Sequence, residues 1–338
     1  MDLSRFSPQQ REVITSGEGP LGILAGPGSG KTTTIAGRIA FLIAEREIPP
    51  HSILAITFTT AAAAALRTRL ATVLGQASAQ VDIRTFHSFG LRVIRAWSGE
   101  LGFGHFPPAV YGREEARKVL VNAAEKLGLA LKAEHTGAEA DPWSLSAANL
   151  ARSLERFRLR GAGAAAAFRD EGVDQNLLCE LAPIYEALLQ RDGAVDYPAM
   201  LLLPVRLFEA EPRALRMLQD AYRHVVVDEV QDTCRVQYGL LQQLVAPHRN
   251  LALVGDPTQS VYGFRGAEPS LLQEFPRDFP DAHVFVLDEN HRSTATIVAL
   301  ANVVAAPLAH RPACWTANPS GPGAWSQGML FRKQPGTC

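Results

Sequence analysis

Cysteine is scarce, with only Cys179, Cys234, Cys314 and Cys338 in 338 residues. They make no Cys-x-x-Cys pair and have no histidines at metal-ligand spacing, which argues against a zinc site or a disulfide framework and leaves free thiols. Long apolar runs are lacking as well. No stretch approaches the roughly 20 residues of a bilayer-spanning helix. Met1 is followed by Asp2 and Arg5 rather than by a basic segment and an apolar one. Neither a membrane span nor a secretory leader is expected, and the expected location is the cytoplasm. Charge of one sign is also missing, since 33 Lys plus Arg against 34 Asp plus Glu leave a net charge of −1. A polyanion would have to be held by local groups rather than by a bulk field. Arg152, Arg156, Arg158 and Arg160, opposed only by Glu155, form one such local cluster. A solvated helix face is the simpler reading of that cluster than a nucleic-acid contact.

What is present suits a globular chain of about two domains, because 47% of the residues are hydrophobic and a sizeable core can be buried. Short apolar runs at residues 21–25, 53–58, 81–86, 224–228, 251–255 and 284–287 precede helical patterns. Runs this short, without alternation, predict strands buried on both faces of a parallel sheet, and the class is α/β. Between residues 99 and 204 the pattern turns helical, at 114–127, 145–157 and 177–189, with glycine-rich punctuation at 161–167. The sheet is therefore expected to be discontinuous, built from residues 1–98 and 205–280 around a helical insertion at 99–204. From residue 310 onward proline and glycine alternate without a sustained period, and little packed structure is expected at 311–338.

Two segments carry phosphate chemistry. Ala25, Gly26, Pro27, Gly28, Ser29, Gly30, Lys31 and Thr32 follow an apolar strand and open a helix. Glycines let such a loop turn its N–H groups onto phosphates, and the helix N-terminus favours anions. Lys31 would reach the β- and γ-phosphates, and Thr32 would ligate Mg2+. Nearly two hundred residues on, the run 224–229 ends in the paired acids Asp228 and Glu229. Asp228 would hold Mg2+, and Glu229 would orient and deprotonate an attacking water. The acid run alone is weak evidence, because apolar strands ending in acid are common, whereas the glycine-rich loop in its strand and helix context is specific. Together they predict ATP and Mg2+ as cofactors and hydrolysis as the reaction.

The surrounding residues resemble the ordered motifs of UvrD/Rep/PcrA-like superfamily-one DNA helicases. Residues 6–14, Phe-Ser-Pro-Gln-Gln-Arg-Glu-Val-Ile, are similar to the family's adenine-reading segment, which gives Gln10 that task. Residues 53–60, with Thr57 and Phe58, and residues 85–89, with Thr85 and His87, resemble its DNA-contacting segments. Residues 228–233, Asp-Glu-Val-Gln-Asp-Thr, match its carboxylate motif. The most specific likeness is the run 254–267, beginning Val-Gly-Asp-Pro-Thr-Gln. There the resemblance makes Gln259 a γ-phosphate sensor and Tyr262 and Phe264 DNA contacts. Residues 287–294 are similar to the opening of the second motor domain, with Arg292 placed to reach the γ-phosphate.

The resemblance implies a RecA-like sheet with a helical insertion and the start of a second motor domain at 281–310. It also implies an ATPase that grips single-stranded DNA or single/double-strand junctions, with repair or replication proteins as partners. Aromatic faces suit that grip, since stacking on bases is sequence-tolerant, although core packing competes for each aromatic taken singly. Departures stand beside the likeness. Thr33 and His291 occupy the places of the Arg and Tyr that sandwich adenine in the family, Thr60 and Ala61 replace Asn-Lys, and Phe264 replaces Trp. The later family motifs are missing, and residues 324–338 resemble nothing in the family, as a frameshift or premature end would give. A motor half with weak unwinding is therefore expected. The competing readings are a nucleotide-gated adaptor without turnover and an unrelated P-loop kinase.

Overall fold

The computed structural model describes residues 1–104, 106–129, 131, 146–160, 173–263, 266–306 and 315–317. In chain order the elements begin with α1 (Pro8–Thr15), β1 (Leu21–Ala25), α2 (Lys31–Ala44), β2 (Ile53–Thr57), α3 (Thr60–Leu74) and β3 (Asp82–Thr85). A helix-rich stretch follows, with α4 (Phe86–Ala96), β4 (Ala109–Val110), α5 (Arg113–Lys126), α6 (Ala147–Arg160), α7 (Gln175–Arg191), β5 (Ala194–Val195), α8 (Tyr197–Ala210) and α9 (Pro212–Ala221). Then come β6 (His224–Val227), α10 (Arg235–Val245), β7 (Leu251–Gly255), α11 (Leu271–Asp278), β8 (His283–Leu287), β9 (Glu289–Asn290), α12 (Ala295–Ala305) and β10 (Thr316–Ala317).

Six strands form one sheet in the order β3-β2-β6-β7-β1-β8, and every pairing is parallel. The α/β class expected from the apolar runs is what the chain adopts. β2, β6 and β7 are buried along their whole length, as strands covered by helices on both faces must be. Ile23, Ile39, Ile53, Leu66 and Leu70 are among the buried side chains that form the core of this layer, each stabilising by roughly 1.5 to 3 kcal/mol. β1 and β2 follow one another in the chain, yet β6 and β7 lie between them. Because all strands run the same way, Ala25, Thr57, Val227 and Gly255 end at one edge, where doubly wound sheets carry their ligands.

The chain divides into two compact units, one of Met1–Thr85, Leu218–Thr233 and Leu244–Cys338, the other of Phe86–Met217 and Cys234–Gln243. These boundaries differ from the expected ones near residues 98 and 205, and no break falls at 280. β8 pairs with β1 in the six-stranded sheet, so the described part of the stretch expected to open a second motor domain at 281–310 belongs to the first unit. α4 belongs to the second unit because it packs on α8 so closely that a Cβ on Gly90 would overlap the Met200 carbonyl. Leu120, Leu150, Leu178 and Leu181 are buried in that unit's own core.

Within the basic cluster on α6, Arg152 is exposed as a solvated face requires, whereas Arg158 departs from that reading. Arg158 is buried, with Nε donating to Glu186 at 2.9 Å and Nη1 to Asp196 at 2.6 Å. Asp196 also accepts from the Tyr185 hydroxyl at 2.9 Å. A buried guanidinium needs such partners, since an unpaired charge there would be costly. The glycine-rich run at 161–167 and most of the expected irregular tail lie outside the described residues. Within the tail, however, Trp315 is buried and Thr316–Ala317 pair with β9, so that part is packed rather than irregular. Among the described residues, no helix is long and apolar enough to cross a membrane.

Candidate active site

The loop between β1 and α2 is set by local backbone geometry. Gly28 and Gly30 have φ of 72° and 85°, left-handed values that cost a side-chain-bearing residue about 1 kcal/mol or more. Ser29 closes the turn by donating its hydroxyl to the Gly26 carbonyl at 2.8 Å. Gln10 is buried and held twice. Its Oε1 accepts from Ser7 N–H in the capping box of α1, and its Nε2 donates to the Ser29 carbonyl at 2.8 Å. Lys31, the first residue of α2, is also buried and turns its ammonium back over the loop, 3.3 Å from the Ala25 carbonyl and 3.5 Å from Gln259 Oε1. Thr33 is exposed, and its hydroxyl accepts from Arg69 of α3 at 2.5 Å.

The acids meet this loop from the far end of the sequence. Thr32 Oγ1 lies 3.3 Å from Asp228 Oδ2, just beyond the end of β6. Burial, and then the neighbouring Glu229 charge, push the Asp228 carboxyl up to about 6, against the opposing pull of Lys31. Glu229 has a left-handed backbone with φ of 57°, an uncommon state for a non-glycine residue that often marks a functional site. Its N–H donates to Asp228 at 3.0 Å and its carboxylate accepts from Gln231 Nε2 at 2.7 Å. Gln231 Oε1 in turn accepts from Asp256 N–H at 3.0 Å, and Asp256 accepts from Gln259 Nε2 at 2.6 Å. One hydrogen-bonded chain therefore runs from Glu229 through Gln231, Asp256 and Gln259 to Lys31.

Residues after β8 close on the same loop. Asn290 Nδ2 donates to the Pro27 carbonyl at 2.6 Å, and His291 N–H donates to the Gly28 carbonyl at 2.9 Å. The His291 ring is 3.8 Å from Glu289. Arg292 follows, with its side chain exposed and its N–H on Asn290 Oδ1 at 2.8 Å.

The residues expected to touch DNA divide into groups. Phe58 and Tyr262 come together as a tilted ring pair with centroids 4.6 Å apart, both partly exposed. Thr57 is fully buried and gives its hydroxyl to the Thr59 carbonyl at 3.1 Å, so it shapes the loop rather than offering a surface. Thr85 is buried as well. His87 lies in the second unit, edge-on to Tyr197 at 5.6 Å. Phe264 lies outside the described residues. Gln231, Asp256, Asn290 and Trp315 had no role assigned from sequence. Gln231, Asp256 and Asn290 stood inside motifs already recognised, and Trp315 lay in a segment with only a faint family likeness, but none of these signals pointed to the contacts they make.

A glycine loop between the first strand of a parallel sheet and the following helix, with acids from a distant strand beside it, defines a P-loop NTPase type of site. The chain belongs to the UvrD/REP helicase family, whose N-terminal domain matches residues 6–280. It is 33% identical over 327 residues to the ATP-dependent DNA helicase PcrA of Bacillus subtilis, covering 94% of this chain and 42% of that protein. The Staphylococcus aureus strain Mu50 protein of the same name is 31% identical over 329 residues, with the same coverage. The ATP-dependent DNA helicase UvrD1 of Mycobacterium bovis is 33% identical over 317 residues, 91% of this chain and 40% of that one. The chain thus spans less than half the length of these relatives.

Proposed function

We propose that the chain is the ATP-binding half of a DNA helicase motor, hydrolysing ATP in response to single-stranded DNA or a single/double-strand junction. The observation that carries this reading is the meeting of Lys31, Thr32, Asp228, Glu229 and Gln259, from three separate stretches of chain, at one edge of the sheet. The loop amides and Lys31 grip the β- and γ-phosphates, while Gln10, Thr33 and His291 border the base. Thr32 and Asp228 suit Mg2+, since a hydroxyl beside a crowded buried carboxylate is a hard oxygen donor pair short of positive charge. Bound Mg2+ would neutralise charge on the phosphate oxygens. Glu229, held by Gln231, orients the attacking water and takes its proton. Gln259 and Arg292 meet the γ-phosphate.

Phe58 and Tyr262 offer stacking faces to bases, with Thr57 fixing the loop after β2, and Thr85, His87 and Phe264 are the further strand contacts that the family resemblance implies. Asp256, Gln259 and Tyr262 share one short segment, so nucleotide state and strand grip move together. Repair or replication proteins are the partners such a motor would meet. By themselves, these 338 residues unwind weakly, because translocation needs two complete motor domains closing on ATP. Equilibrium binding of Mg-ATP tests the phosphate assignment, and Lys31→Ala is expected to abolish it. Equal binding and equal ATPase in wild type and Lys31→Ala would contradict it.

A further inference from the structure

Trp315 sits where no substrate chemistry requires it. It is 8% exposed, 289 positions from Gly26, yet a Cβ built on Gly26 would overlap the Cδ1–Nε1 edge of its indole. Gly26 N–H donates to the Leu287 carbonyl at 3.0 Å, so the loop backbone is tied on its sheet side and covered by the ring.

The ring itself is anchored. Asn302 of α12 donates through Nδ2 to the Trp315 carbonyl at 2.8 Å and accepts Trp315 N–H on Oδ1 at 2.9 Å. Val298, Ala301 and Ala305 of the same helix pack with it. Thr316 N–H donates to the Asp288 carbonyl at 2.9 Å, joining β10 to β9. β9 ends in Asn290, which with His291 holds Pro27 and Gly28. Three successive loop residues are thus gripped by one unit made of β9, α12 and β10.

We propose that Trp315 is a positioning residue for the phosphate loop, its indole seated on Gly26 so that the loop's first turn is pre-set for a triphosphate. Gly26 is needed because the ring occupies the space a methyl group would take, a reason distinct from the left-handed backbone that calls for glycine at 28 and 30. The inference rests on the proposed phosphate role of this loop. Loss of the ring frees the turn, and ordering it then falls on the nucleotide, which weakens affinity without removing any group that touches phosphate.

The test is a size-swap cycle read by titration with a fluorescent ATP analogue and Mg2+. Gly26→Ala should weaken binding by about tenfold or more, and Trp315→Ala by about threefold. The double variant should bind more tightly than Gly26→Ala alone, because the new methyl fills the space the indole leaves. A double variant as weak as the product of the single effects overturns the inference. Lys31→Ala separates the two failures. If it binds as wild type does, the phosphate reading falls and the inference with it. If it loses binding while the cycle is additive, only the role of Trp315 falls. Trp315→Phe provides a variant that keeps an aromatic seat. Emission of Trp315 in a background with Trp97, Trp143 and Trp325 changed to Phe needs no nucleotide. Gly26→Ala should shift it to the red as the ring is pushed into water, and unchanged emission would refute the contact.

Discussion

Glu229 has the most specific environment of any side chain at the proposed site. It follows a buried strand, adopts a left-handed backbone, and has its carboxylate held by Gln231. If it activates water, Glu229→Gln should lower ATP turnover by roughly 10² to 10⁴-fold while leaving nucleotide affinity within a few fold. Parallel measurement of turnover and binding checks this, and equal loss of both would instead mark it as a binding group. Lys31, Asp228 and Glu229 were legible because phosphate chemistry demands those residue types at those spacings. Gln231, Asp256 and Asn290 were harder to read. An amide linking two backbone segments leaves no periodic or compositional trace, and Asn290 meets its partner Pro27 across 263 positions.

Among the elements, the strands were the most readable part of the fold, since a five-residue apolar run ahead of a helix has few other homes. Their bounds moved by a residue or so, as with β2 ending at Thr57 rather than at Phe58. Phe58 turns out of the sheet to meet Tyr262. The unit boundary was not readable, because the close approach of Gly90 to Met200 depends on two helices more than a hundred residues apart. Gly90→Ala should destabilise the chain by about 1 to 3 kcal/mol, the usual cost of overpacking, seen as a lower urea midpoint.

β6 carries a second test at its first residue. Burial, and then the nearby Arg38 guanidinium, lower the His224 imidazole from 6.5 to about 4. Protons therefore bind the unfolded chain more readily between those values, so the stability this neutral ring contributes is full above pH 6.5 and is lost as pH falls toward 4. The expected loss between pH 7 and pH 5 is about 2 kcal/mol. His224→Gln should flatten that part of the stability profile. An unchanged slope in the variant would assign the acid sensitivity to other groups.

On the scale of the whole molecule, composition was silent about nucleic acid, and the charge balance of −1 left the case to local aromatic and phosphate sites. Coupling between them is what separates a motor from a nucleotide-gated adaptor, and it is measured by the ATPase rate of the purified chain with and without single-stranded DNA. A DNA-stimulated rate that disappears in Lys31→Ala is the expected result. A rate indifferent to DNA, or one that survives loss of Lys31, would contradict the assignment.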